Sequence, residues 1–228
     1  MDASAFGSFI DHHCHGVVLS ELDRPGFEAL MSESHRPAGL HCGSQFDKPL
    51  GLAIRRWCAP ILDLEPFAAP EAYVARRRDL GAEEANRRLL RAAGVSAMLI
   101  DTGHRAEEIA EPERMAALSS VACREVVRIE AVMEEAARMA ADGPALLDAF
   151  DARLAERMAG AVGLKSIIAY RATFALDQID PREAEAREAA DAWLAAIARE
   201  GWRRLEDPVL LRRALFRAIE ACAPRRLP

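Results

Sequence analysis

The sequence has 228 residues, of which 51% are hydrophobic and 29% charged, so it holds ample apolar material for a globular core. Its formal net charge of −6 argues against a nucleic-acid-binding surface, because such a surface needs a basic face. Five cysteines that never form a Cys-x-x-Cys pair, no signal-peptide pattern and no run of about 20 apolar residues predict a cytoplasmic protein that binds neither membranes nor nucleic acids.

Four short apolar runs rich in β-branched residues alternate with longer segments of helical periodicity. The predicted strands are residues 8–15, 95–103, 124–130 and 162–170. The predicted helices are residues 71–93, 144–159, 181–199 and 207–221. Strands separated by helices of this length indicate parallel βαβ units with right-handed connections. We therefore expect one α/β domain over residues 1–228.

The stretch from 17 to 70 is less regular than the rest and is rich in glycine and proline. We interpret it as a long insertion after the first strand, in part helical, that lies over the functional site as a lid. His35 and His41 belong to this stretch, where they serve either a lid or a plain surface.

The first predicted strand, "FIDHHCHG", holds three of the six histidines of the chain within four positions. Side chains alternate along a strand, so Asp11, His13 and His15 share one face. Two imidazoles at this spacing can bind one ion, and a nearby carboxylate can orient a ligating histidine. The alternative is that these histidines are hydrogen-bonded structural residues.

Together with "EVVRIE" (125–130) and "GLKSIIAYR" (163–171), the histidine motif resembles the first-strand Asp-x-His-x-His element of the amidohydrolase superfamily. The likeness is greatest to its amidohydrolase-related branch, family 2, of metal-dependent hydrolases. The resemblance implies a TIM-like (β/α)8 barrel with a divalent metal, zinc by preference, at the carboxyl ends of the strands. It also implies that His13 and His15 are the first two metal ligands.

The same resemblance implies that the chain is the N-terminal portion of such a barrel, with about four βα units. The remaining histidines and a final aspartate of the family come from later strands. We therefore expect a complementary C-terminal half, or a homo-oligomer, to complete the site.

Three further residues are candidates for the site. Lys165 lies in the fourth strand of a chain with 28 arginines and only two lysines, and we predict a catalytic role because arginine cannot replace a compact amine. The alternative is a structural cation paired with a carboxylate such as Glu130. Arg171 at the end of the same strand can clamp a substrate carboxylate, although such an arginine is often simply solvated or paired. His104 either approaches substrate or caps the following helix.

The resulting functional prediction is a metal-dependent hydrolase that uses metal-activated water on an amide, ester or related carbonyl-centred bond of a small polar substrate. Two alternatives remain open at this stage. One is a metal-dependent decarboxylase of the same family. The other is an inactive fragment, or an α/β interaction protein without enzymatic activity.

Overall fold

The computed structural model describes residues 9–32, 43–175 and 177–228. In this part of the chain four strands form one parallel sheet in the order β1-β2-β3-β4. The strands are β1 (Phe9–Cys14), β2 (Val95–Asp101), β3 (Ala122–Arg128) and β4 (Gly163–Lys165). In the β3–β4 pair, Val127 lies opposite Leu164 and Arg128 lies opposite Lys165. This register brings two basic residues together at the ends of neighbouring strands.

Helices account for most of the remaining described chain, and many of them have proline in the first turn, where its missing N–H costs nothing. In chain order the helical segments are α1 (Arg24–Leu30), a 3-10 turn (Gln45–Asp47), α2 (Pro49–Ala53), a π-helical turn (Ile54–Cys58), α3 (Ala59–Ile61), α4 (Pro70–Leu80), α5 (Ala82–Ala92), α6 (Pro112–Ser119), α7 (Ile129–Ala137), α8 (Gly143–Arg157), α9 (Ile168–Arg171), α10 (Glu183–Glu200), α11 (Pro208–Cys222) and a 3-10 turn (Ala223–Arg225). In the described parts of the chain, none of these helices is both long and apolar enough to cross a membrane.

The α/β class is as predicted, but the prediction of the N-terminal part of a TIM-like (β/α)8 barrel with about four βα units and a long insertion is wrong. The described strands form a four-stranded sheet, and two helices, α7 and α8, separate β3 from β4. Two more, α10 and α11, follow β4 and α9. The single helix predicted over 71–93 is also two helices, because Gly81 takes a φ of 78° and interrupts it.

The fourth strand is shorter than predicted, since it ends at Lys165 and the chain turns into α9. At this point side chains accept hydrogen bonds from backbone N–H groups. The N–H of Ile167 donates to Glu130 Oε1 at 2.9 Å, and the N–H of Ile168 donates to Ser166 Oγ at 3.1 Å. Polar side chains that bind backbone groups in this way compete with strand pairing.

The chain divides into two compact units. The first unit takes in the described residues of Met1–Asp11, Gly16–Met98 and Glu107–Cys123, and the second takes in His12–His15, Leu99–Ala106 and Arg124–Pro228. The core of the first unit is a small cluster in which the rings of Phe27 and Phe46 stack with centroids 5.6 Å apart. Tyr73 completes this aromatic cluster, and its burial raises the pKa of the phenol to about 12.

The second unit has a larger core between its strands and helices. Helix α8 packs against α7 and α10, and α11 packs against α7 and α10 as well. Val127 from β3 meets fully buried side chains of these helices, among them Leu146 and Phe150. The strands that carry the candidate site are therefore part of a unit with a densely packed hydrophobic core.

Replacing Phe150 with alanine should lower the free energy of unfolding by about 3–5 kcal/mol, because the ring is 1% exposed and its loss leaves a cavity. Phe174→Ala is the matched control, since that ring is 83% exposed, and it should change stability by less than about 0.5 kcal/mol. Urea unfolding followed by circular dichroism measures both. Similar losses for the two variants would contradict the assignment of the core.

Candidate functional site

Polar side chains gather where the strands of the second unit end. In a parallel sheet these ends lie at one edge, which is where ligands of α/β proteins usually bind. The residues concerned are His13 and His15 at the end of β1, Asp101 and His104 at the end of β2, Arg128 at the end of β3 and Lys165 at the end of β4. Each strand therefore contributes at least one polar group to this strand-end cluster.

Three imidazoles of the strand-end cluster are in contact. The ring centroids of His13 and His15 lie 5.3 Å apart with an interplanar angle of 80°, and those of His15 and His104 lie 4.7 Å apart. Two imidazoles that share a zinc ion at bond lengths of about 2.0–2.1 Å in tetrahedral geometry hold their ring centres about 5 Å apart. The spacing of His13 and His15 therefore suits two ligands of one ion.

The backbone orients His15. Its Nδ1 lies 3.0 Å from the carbonyl oxygen of Asp101, so an Nδ1–H donates to that carbonyl in the matching tautomer. The lone pair then resides on Nε2, the nitrogen left to face a ligand. Histidines that bind metals usually have such a carbonyl or carboxylate partner on the other ring nitrogen.

Asp101 is completely buried and is the electrostatic centre of the cluster. Its Oδ2 accepts from Arg128 Nη2 at 2.5 Å and lies 3.0 Å from Lys165 Nζ, while its Oδ1 accepts from the N–H of Gly103 at 2.9 Å. Burial alone would raise the pKa of this carboxyl, but the hydrogen bonds from Arg128 and Lys165 outweigh it and lower the pKa from its ordinary value of 3.8. Asp101 is therefore an anion at neutral pH, with both oxygens engaged.

The loop after β2 lies directly against Arg128. A Cβ on Gly103 would come within 2.5 Å of the Arg128 Cβ and 3.0 Å of the Ala131 Cβ. Because real Cβ atoms do not approach so closely, only glycine fits at this position. The close approach lets the Gly103 N–H reach the carboxylate of Asp101.

The surroundings of His13 and His104 favour the neutral imidazole. Partial burial, and then the positive charge of Lys165, lower the pKa of His13 from 6.5. Partial burial, and then the neighbouring His15, lower the pKa of His104. Neutral imidazoles are therefore favoured at pH 7, and the neutral form is the one that binds metal ions.

The described residues do not complete a metal site. Within 9–32, 43–175 and 177–228, no three histidine, cysteine, aspartate or glutamate side chains come together in a way that could hold an ion. Asp101 is occupied by two cations, and His104 packs on His15 without completing a set. The histidine pair fits two ligands, whereas a catalytic zinc needs about three protein ligands.

The structure places some of the other predicted site residues in the strand-end cluster and some outside it. His104 and Lys165 belong to the strand-end cluster, and the partner of Lys165 is Asp101, not the Glu130 considered from sequence. Arg171 lies on α9, where its guanidinium is 3.0 Å from a carboxylate oxygen of Glu134. The roles assigned to these residues remain predictions. His35 and His41 lie outside the described residues.

Sequence reasoning did not single out Arg128 or Asp101 as site residues. A signal for both was present in the sequence, because each lies near the carboxyl end of its predicted strand and their charges are opposite. Glu130 was considered from sequence as a partner of Lys165. Its side chain is fully buried and its Oε1 binds Ser166 and the N–H of Ile167, so it stabilises the turn after β4.

The fold resembles that of a solved protein. The chain matches a crystal structure described as "putative metal-dependent hydrolase from Lactobacillus casei ATCC 334", with a TM-score of 0.71 and 23% sequence identity. The match covers 98% of this chain and 57% of that chain, so this chain spans little more than half the length of its structural neighbour. At this identity the likeness concerns the fold alone. No family model and no curated protein sequence matches the chain.

Replacing Asp101 with asparagine should lower the free energy of unfolding at pH 7 by about 3 kcal/mol, because it leaves two cations without their anion. The folded-state pKa of Asp101 lies below its ordinary 3.8, so its contribution is fully present above that pH and disappears as the pH falls through the folded-state pKa. The difference in the free energy of unfolding between wild type and variant should therefore become smaller below about pH 4.

The control is Asp177→Asn, which removes the partner of Arg212 in an exposed ion pair. It should cost less than about 1 kcal/mol. Urea unfolding at several pH values measures both variants. An Asp101→Asn variant as stable as wild type at pH 7 would contradict the central role of this carboxylate.

Proposed function

We propose that the chain is a metal-dependent hydrolase in which His13 and His15 bind the metal ion. The observation that carries the proposal is the adjacent imidazole pair, with centroids 5.3 Å apart and His15 oriented by the carbonyl of Asp101. Support also comes from the fold, because a structure with the same fold is named a "putative metal-dependent hydrolase". Zinc is the proposed ion, since imidazole nitrogen is among its preferred ligands.

A divalent metal ion held by His13 and His15 would supply Lewis-acid chemistry, which activates water and polarises a carbonyl group. The chain's own residues prepare the site for this chemistry. Partial burial of His13, and then the positive charge of Lys165, favour its neutral imidazole. Asp101 in turn holds Lys165 and Arg128 in place through one carboxylate oxygen.

The bond that we propose for cleavage is an amide, an ester or a related carbonyl-centred bond in a small polar substrate. Lys165 is the proposed catalytic residue, because its ammonium is the partly exposed cation of the strand-end cluster, with 23% of its side chain accessible. The His13–His15 pair falls short of the usual ligand number by about one. We propose that a partner, either a second copy of the chain or a complementary segment, contributes that ligand.

Metal affinity tests the role of the histidines. His13→Ala and His15→Ala should each weaken zinc binding by at least about 100-fold, because each removes a ligand. His12→Ala should change the affinity by less than about threefold, since side chains of neighbouring strand residues point to opposite faces. Competition with a chromophoric chelator measures the affinity, and circular dichroism verifies folding. An equal loss in folded His12→Ala would show that the pair is misassigned.

The role of Lys165 is tested by a substitution that keeps its charge. Lys165→Arg should reduce kcat/KM on p-nitrophenyl esters or anilides at least about tenfold, because a planar guanidinium does not fit where a compact ammonium acts. Lys48→Arg, at the other lysine of the chain, should leave kcat/KM unchanged. Full activity in the Lys165→Arg variant would return Lys165 to a purely structural role.

A further inference from the structure

The strand-end cluster has more positive than negative charge. Arg128 and Lys165 lie opposite each other in the β3–β4 register, and like charges on facing positions of neighbouring strands repel. Both are paired with the same oxygen, Oδ2 of Asp101. One carboxylate cannot neutralise two cations, so one positive charge remains in a partly buried position.

Other nearby carboxylates of the described chain form no ion pair with Arg128 or Lys165. Glu134 pairs with Arg171 and Glu125 pairs with Arg157, while Glu130 binds two neutral groups, the Ser166 hydroxyl and the N–H of Ile167. Within the described parts of the chain, Asp101 is the carboxylate that pairs with Arg128 or Lys165. The unmatched charge must therefore be solvated by water or matched by a bound anion.

Lys165 is the cation that a ligand can reach. Its side chain is 23% exposed, whereas that of Arg128 is 9% exposed and its Nε and Nη2 both donate to Asp101. An ammonium group has three N–H donors, which leaves donors for a second partner. Asp101 links Lys165 to the histidine pair, because its Oδ2 lies 3.0 Å from Lys165 Nζ and its carbonyl oxygen lies 3.0 Å from His15 Nδ1. An anion on Lys165 would therefore lie beside the histidine pair.

We propose that Lys165 binds a carboxylate group of the substrate, so that the substrate is an amide or ester that also carries a free carboxylate. This inference rests on the proposed hydrolase function and specifies its substrate class. A monovalent carboxylate matches the single unbalanced charge, whereas a phosphate dianion would bring a second negative charge beside Asp101. The carboxylate would hold the scissile carbonyl of the substrate near His13 and His15.

The test uses the metal-free protein and simple anions, so that it depends on neither metal binding nor turnover. Acetate, inorganic phosphate and tetramethylammonium are titrated at constant ionic strength, and the ring signals of ¹³C,¹⁵N-labelled histidines are followed by NMR. Wild type should bind acetate saturably with a Kd in the range of about 1 mM. Acetate should bind more tightly than phosphate, and tetramethylammonium should not bind.

Variants assign the binding to Lys165. Lys165→Met should weaken acetate binding at least tenfold, whereas Lys48→Met should leave it unchanged. Lys165→Gln removes the charge but keeps a polar side chain and should weaken acetate binding to a similar extent, which tests the inference even if the methionine variant does not fold. Circular dichroism establishes which variants are folded.

Several outcomes would overturn the inference. These are unchanged acetate binding in folded Lys165→Met, no saturable binding of acetate to wild type, and tighter binding of phosphate than of acetate. The two proposals fail separately. If the protein binds acetate but not zinc, the carboxylate site is supported and the metal-dependent hydrolase is contradicted. If it binds zinc but not acetate, the metal site is supported and the carboxylate site is contradicted.

Discussion

The buried carboxylate of Asp101 connects more of the site than any other group. Its Oδ2 holds the cations at the ends of β3 and β4, its Oδ1 holds the loop at Gly103, and the carbonyl of the same residue orients His15 at the end of β1. A carboxylate with no solvent exposure is expensive to desolvate, and only partners on several sides offset that cost. Asp101 therefore fixes the relative positions of residues from all four strand ends.

The charged groups around Asp101 influence which ligands the site can bind. Partial burial, and then the positive charge of Lys165, lower the pKa of His13, and the neutral imidazole that this favours is the form that binds metal ions. Arg128 and Lys165 share one carboxylate oxygen of Asp101, which favours an anionic ligand beside the histidine pair.

Local patterns predicted the parts of the structure that depend on local forces. Strand alternation predicted that His13 and His15 lie together, and their rings are 5.3 Å apart. Contacts between residues that are far apart in the sequence could not be predicted from these patterns. Nothing in "GLKSIIAYR" indicates that Glu130 and Ser166 bind the following backbone N–H groups and end β4 at Lys165, so the predicted strand was too long. The choice of Asp101 over Glu130 as the partner of Lys165 likewise depends on tertiary positions.

The central claim is that His13 and His15 share a metal ion, and anomalous diffraction tests it most directly. Crystals of the zinc-treated chain would be measured on both sides of the zinc absorption edge. The account predicts an anomalous peak about 2.0–2.1 Å from a ring nitrogen of each of these two histidines. A map with zinc bound elsewhere, and no peak between His13 and His15, would contradict it.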